Sequence, residues 1–492
     1  MSAPQLTTAV APTDVYGGDE VQAFVLDPGY SHTRAGFAGE DVPKCVQPSF
    51  YVHDNSSPDK PKNFFGEQYL VPRGNIEVRN YMSKDSIVED WDIAPKLWEN
   101  YMLDQLLPTR QLSTMKNGLQ NKRKEKDTEG DVEMDDAAVD AVVTTGSADE
   151  SKERENADEQ EKLLDETPLL MTEASWNTTK NREKAIEVAM ESWGCPAFWT
   201  SRTPVLVAFA AGKATALVID VGAANTSVVA VHDGHVLKRS VQKSPIGGLW
   251  LSQQVKALWE GQDPKIEPIP SFMVENKTPV DAGAPPQFRP RAFKFSPIPE
   301  SYRAYEDERL RTEFKESVVE VWRGPTRFMA PGMEEMARNQ APGRVFEFPD
   351  GSNHLWRETR YRVAEGVWDE SAQLPNTPDE WKISAEQTLA SLIRNSLNGV
   401  EVDLRPNLLG NVVVTGATTL LNGFNDRLNI ELTQMFPGLK IRISASGLSS
   451  ERRFGAWVGG SILASLGTFH QMWISKKEYE ENGANVVEKR CK

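Results

Sequence analysis

Cysteine is scarce in this chain of 492 residues. There are three, Cys45, Cys195 and Cys491, an odd number with no C-x-x-C pair. A disulfide framework and a cysteine-based zinc site are thereby excluded, and a reducing compartment fits best. Positive charge is short as well: 55 Lys and Arg stand against 71 Asp and Glu, a formal net charge of −16. A surface this acidic repels phosphate backbones, so no direct sequence-specific DNA binding is expected, and work near nucleic acid would run through protein partners. Long apolar runs are missing, and none approaches the length of a membrane span, so no membrane partner is expected. Met1–Glu20 has neither the basic start nor the apolar run of a signal peptide. The expected protein is soluble and intracellular.

Aromatic residues are absent from one long stretch, Pro108–Glu166, which opens with the basic cluster Lys122–Lys126 and then turns acidic around Asp131–Asp136. Without apolar periodicity it reads as a disordered charged insertion. Its basic cluster is read first as a solvated face and second as a nuclear import signal. Two further stretches, Pro264–Pro299 and Gly324–Gly343, are broken by Pro and Gly and read as loops inserted in a folded lobe.

What is present between these gaps is alternation. The apolar runs Ala23–Leu26, Ala216–Ile219 and Asn411–Val414 read as buried strands, and helical periodicity marks Asn181–Trp193, Glu308–Trp322, Ser384–Leu397 and Trp457–Trp473. Strands alternating with helices predict an α/β fold, and the length predicts at least two lobes. One pattern occurs twice: Phe24-Val25-Leu26-Asp27-Pro28-Gly29 is echoed by Leu217-Val218-Ile219-Asp220-Val221-Gly222. Each is an apolar strand, Asp-x-Gly, a polar turn and a second run, so each predicts a β-hairpin. Their separation is that of two homologous lobes rather than of a short repeat. Tight glycine turns converge backbone N–H groups into an anion cradle, and a strand-end aspartate suits a hydrated Mg²⁺. A single copy reads as an aspartate satisfying a turn; two at lobe spacing predict a clamp for a polyphosphate. A third element, Val412–Thr419, runs from a strand into Gly-x-Thr-Thr, which serves either a nucleotide or an ordinary helix cap.

With these elements in order, the chain resembles the actin family. The likeness is carried by Arg34–Asp41, by Leu170–Ala174 with Asn181–Lys184, and most strongly by Trp457–Leu466 followed by Gln471–Ser475. The resemblance implies the two-lobed α/β fold shared by actin, hexokinase and the heat-shock-70 ATPase domain. Residues 1–20 would be a frayed leader. Residues 21–210 would be the first lobe, with a small subdomain at 49–86 and the insertion at 108–166. Residues 211–454 would be the second lobe, with a small subdomain at 247–376, and 455–492 would return to the first. The resemblance also implies ATP in the cleft with Mg²⁺ or Ca²⁺ held near Asp27 and Asp220. Gly29, Tyr30, Ser31, Arg34, Gly222 and Ala223 would surround the phosphates, and Lys315, Glu316, Gly416, Thr418 and Arg453 the adenosine. Leu463, Leu466, Thr468 and Met472 match positions bordering a groove that accepts amphipathic helices. Taken without the resemblance, Lys315-Glu316 is a solvated helix face and the apolar C-terminal residues are core.

The departures from the family pattern carry the functional expectation. Tyr30 stands where actin has serine, Arg34 where it has lysine, and Ala223 and Ala224 where it has aspartate and glycine. Ser227 replaces the water-orienting histidine, and Thr203 the water-positioning glutamine. Hydrolysis needs a water held in line with the γ-phosphate, so binding without efficient hydrolysis is expected and no catalytic residue is assigned. The polar, proline-bearing loop Asn55–Lys62 argues against filament contacts. Among actin relatives these features resemble the nuclear, non-filamentous branch. That branch implies a subunit of chromatin-remodelling and histone-acetyltransferase complexes, paired with an actin monomer on the helicase-SANT-associated helix of a scaffold and touching histones or the nucleosome. The rival readings are a hydrolysing cytoskeletal actin, a sugar or acetate kinase of the wider superfamily, and a cytoplasmic structural actin relative.

Overall fold

The structure, a computed structural model, describes residues 22–57, 61–102, 162–340 and 342–492. The leader, residues 108–161 of the charged insertion and Pro58–Lys60 of the polar loop lie outside the described residues. The chain resumes at 162, and Leu164 is fully buried, its amide donating to the Trp193 carbonyl (2.9 Å).

Two central sheets repeat one plan. The first contains β1 (Phe24–Pro28), β2 (His32–Phe37), β3 (Cys45–Pro48), β4 (Leu169–Glu173) and β5 (Ala197–Arg202). The second contains β6 (Ala216–Val221), β7 (Thr226–His232), β8 (His235–Val236), β9 (Gln242–Ser244), β10 (Val412–Thr415) and β11 (Ile443–Ser444). The last strand, β12 (Ile474–Ser475), returns to pair with β5. The orders are β12-β5-β4-β1-β2-β3 and β8-β7-β6-β10-β11, with β9 also on β7. In each sheet a hairpin (β1–β2, β6–β7) lies antiparallel, and a later strand (β4, β10) runs parallel to its first member. The internal echo is thus structural: Asp27 pairs with Arg34 as Asp220 pairs with Ser227. Strands such as β1 and β6 are apolar on both faces because helices cover both sides of the sheet.

Each sheet has its own core. Trp98, Trp193 and Trp457 anchor the first, and Trp250, Phe314 and Trp368 the second. Between them the helix Thr203–Ala210 packs against Ser449–Ser465, with Val207, Ala208, Val218 and Val413 as filler. The approach is close enough that a Cβ on Gly459 would stand 2.0 Å from the Leu206 carbonyl oxygen. Gly459→Ala should therefore overpack this junction and lower stability by about 1–3 kcal/mol, read as a lower denaturant midpoint.

Several expected boundaries move. The helix expected over Glu308–Trp322 runs Glu300–Ser317, and the apolar run after it is extended, with Val321 donating to the Asn422 carbonyl (2.8 Å). Trp457–Trp473 is not one helix. An earlier start at Ser449 leads through a kink at Phe454 to Ser465, extended backbone at Leu466 breaks it, and a 3₁₀ turn follows over Gly467–Gln471. The two expected loops also hold structure: Val274–Thr278 pairs with Gln287–Pro290, and Met333–Gln340 is a helix. Composition hid both, because each element is short and flanked by Pro or Gly.

Candidate functional site

The two hairpin turns face one wide cleft between the sheets. Each turn is closed by the same bond, Gly29 N–H to the His32 carbonyl (3.2 Å) and Gly222 N–H to the Asn225 carbonyl (2.9 Å). The amides of Tyr30, Ser31, Ala223 and Ala224 are left without a partner among the described residues. Unpaired amides converging from opposite walls make a cradle for an anion. Asp27, Gly29, Tyr30, Ser31, Arg34, Asp220, Gly222, Ala223, Lys315, Glu316, Gly416, Thr418 and Arg453 all line this cleft. The structure therefore brings together every cleft residue expected from the sequence, though not all in the same state.

The second-lobe wall is held by its neighbours. Thr418 Oγ1 donates to the Gly222 carbonyl (2.9 Å), tying the third element to the second turn. Gly416 has φ +93°, and a Cβ there would lie 2.2 Å from the Val221 carbonyl oxygen, so only glycine fits. Glu316 and Arg453 pair across the cleft rim at 3.0 Å, both half open to water. Lys315 differs from a solvated face. It is 7% exposed, and its ammonium donates to the Gly248 carbonyl (2.7 Å) and Ser252 Oγ (2.6 Å) and lies 3.4 Å from Glu308. Burial lowers its pKa against the opposing pull of Glu308. Its present role is to fasten the helix Glu300–Ser317 to the start of the helix Gly248–Glu260.

The first-lobe wall centres on Asp27. Arg34 Nη1 donates to Asp27 Oδ2 (2.8 Å) and Thr172 Oγ1 to Oδ1 (2.5 Å). Arg34 also lies over the Phe454 ring at 5.7 Å. Asp220 has no hydrogen-bond partner for its carboxylate among the described residues. Burial, then the charge of Asp27, pushes its pKa up to about 6. To a divalent cation this donor set offers little direct coordination. Both oxygens of Asp27 are engaged, and no group of three or more His, Cys, Asp or Glu converges among the described residues. Mg²⁺ keeps several waters and takes one or two carboxylates with substrate phosphates, so the protein itself would supply few of its direct ligands.

Thr203 and Ser227, at the positions expected to handle water, also line the cleft. Thr203 begins the helix Thr203–Ala210, and its hydroxyl donates to the Glu173 carbonyl (3.0 Å). Ser227 is 8% exposed. Sequence reasoning missed three participants. His32 joins Ser31 Oγ (2.8 Å), and burial, Arg34 and Arg453 push its pKa down to about 4, so it is neutral near pH 7. Thr172 is positioned on Asp27 by the parallel register of β4 on β1, which no local motif announces. Asn225 donates from the second turn to Ser86 Oγ (2.9 Å) and to the Lys84 carbonyl (3.1 Å), spanning the cleft mouth.

The proposed groove residues split. Leu466 is 39% and Met472 46% exposed, Thr468 is exposed and Leu463 half-buried, whereas Phe469 and Trp473 are core. Ile462, at 39%, extends the exposed apolar face. Ile462 and Leu463 precede the break at Leu466, and Thr468 and Met472 follow it.

A family model described as Actin matches residues 18–492. The chain is 62% identical to the Gibberella zeae protein named Actin-related protein 4, over the full length of both chains. To the Neurospora crassa protein of that name it is 60% identical over 99% of each. To the Schizosaccharomyces pombe one it is 33% identical, over 97% of this chain and 99% of that protein.

Proposed function

The chain belongs to the actin family, and from that footing we propose that it is an ATP-binding, non-polymerising nuclear subunit of chromatin-remodelling and histone-acetyltransferase complexes. The single observation that carries the biochemical half is the pair of facing turns with four amides unpartnered among the described residues and an arginine beside them. Such turns suit a polyphosphate, and the rim pair Glu316–Arg453 would stand on the adenosine side.

Hydrolysis is not its task. An attacking water needs a group that reaches it. The Thr203 hydroxyl is turned to the Glu173 carbonyl, and Ser227 is too short to replace an imidazole. Filament growth is not its task either: Asn55, Ser56 and Ser57 are exposed and polar where a subunit-joining loop would offer apolar contact. The nuclear and chromatin reading rests on the shared length and identity with proteins named Actin-related protein 4. Within such complexes the exposed Ile462, Leu466 and Met472 would receive the scaffold's helicase-SANT-associated helix beside an actin monomer. The acidic insertion would face basic histone surfaces.

Purified full-length chain mixed with ATP is expected to release no burst of phosphate on the seconds timescale, and its light scattering is expected to stay proportional to concentration. A burst equal to the protein concentration, or scattering that climbs above a threshold concentration, contradicts the reading.

A further inference from the structure

We propose that Arg34 takes the place of a divalent cation in this cleft, so that ATP is held by the guanidinium and the turn amides without an obligatory metal ion. The inference rests on the ATP-binding reading and specifies its chemistry. A metal ion would meet an Asp27 whose charge is already paired with Arg34 (2.8 Å) and whose second oxygen already accepts from Thr172 (2.5 Å). Asp220 is the other carboxylate at the site, and alone it offers at most two oxygens. No third acidic or imidazole ligand joins them among the described residues.

Arg34 has what the absent ligands would otherwise supply. Its guanidinium carries five N–H donors in a planar fork, of which one reaches Asp27. Its Nε is buried and has no partner among the described residues. A sealed donor of this kind costs free energy in the folded chain, and the exposed part of the side chain is what a ligand can reach. The side chain is 21% exposed, on the cleft side, next to the turn amides of Tyr30 and Ser31. Asp27 holds the fork from behind, Phe454 supports its face, and the remaining N–H groups are free for phosphate oxygens. A fork of this kind recognises phosphate in a two-point manner that a lysine ammonium does not. Its fixed positive charge also offsets part of the polyphosphate charge that a metal ion would otherwise neutralise.

The test compares the affinity of the full-length, nucleotide-stripped chain for a fluorescent ATP analogue in magnesium buffer and in EDTA, for the native protein and for Arg34→Lys. The native affinity is expected to change less than about threefold between the two buffers, whereas Arg34→Lys should lose about tenfold or more in EDTA, since an ammonium is a point charge. A native affinity that falls tenfold or more in EDTA overturns the inference and leaves the ATP reading standing. Equal insensitivity of Arg34→Lys to EDTA also overturns the assignment to Arg34. Absence of binding in both buffers removes the ATP reading itself, and the inference with it.

Discussion

Replacing Phe272 by alanine is expected to speed release of nucleotide from the cleft by about tenfold. Phe272 belongs to a small apolar cluster that joins the two lobes at the cleft mouth. Val52, Leu70 and Ile76 come from the first lobe, and Phe272 and Tyr302 from the second. The Tyr305 ring meets Phe50 edge-on at 5.4 Å, and Phe50 in turn meets Tyr30 at 6.0 Å, so aromatic contact runs from the second lobe to the first hairpin turn. Ser301 Oγ accepts from the Val78 amide (3.0 Å) across the same seam. Opening the cleft must expose this cluster to water. Truncating a buried phenylalanine costs about 3–5 kcal/mol. If a third of that falls on the closed state alone, the off-rate rises by about tenfold, at 1.4 kcal/mol per factor of ten. Stopped-flow chase of a fluorescent nucleotide measures it. An unchanged off-rate would mean that the seam does not govern opening.

Arg427→Ala is expected to destabilise the second lobe by about 3–5 kcal/mol, the usual cost of breaking a buried ion pair by removing one member. Arg427 and Glu365 are 2% and 1% exposed, and their charged atoms lie 3.0 Å apart. Arg427 also holds Glu431 (2.7 Å) and the Trp322 carbonyl (3.3 Å), with its guanidinium over the Trp368 ring. Removing it strands the Glu365 carboxylate in the core with the Phe328 amide (3.1 Å) as its remaining donor. The double change Arg427→Met with Glu365→Gln removes both charges and keeps that acceptor, so it should cost less than the single one. Urea midpoints at constant m-value decide this; a single variant milder than the double one contradicts the account.

Much of the cleft was legible in the sequence because it is built from local units. An apolar strand ending in Asp-x-Gly specifies its own hairpin, and the second copy at Asp220 fixed the two-lobed plan. What was not legible depended on distant partners. Thr172 reaches Asp27 only because β4 lies parallel beside β1, a pairing between segments separated by the whole charged insertion. Lys315 reads as a solvated position in its own helix, yet the helix Gly248–Glu260 covers it. Periodicity carried the helix past Ser317 because Val318–Trp322 is apolar at every position but Glu320, and such a run does not distinguish a buried extended segment from a helix. At the C-terminus the same ambiguity merged two helical pieces. The break at Leu466 decides that Leu466 and Met472 face outward while Phe469 and Trp473 face the core.

The most direct test of the functional reading is affinity purification of the full-length chain from nuclease-treated nuclear extract, followed by mass spectrometry. Recovery of monomeric actin together with a helicase-type ATPase and an acetyltransferase scaffold is the predicted result. Absence from nuclei, or recovery with motor or membrane-traffic proteins instead, would contradict the chromatin reading while leaving the actin fold and its cleft in place.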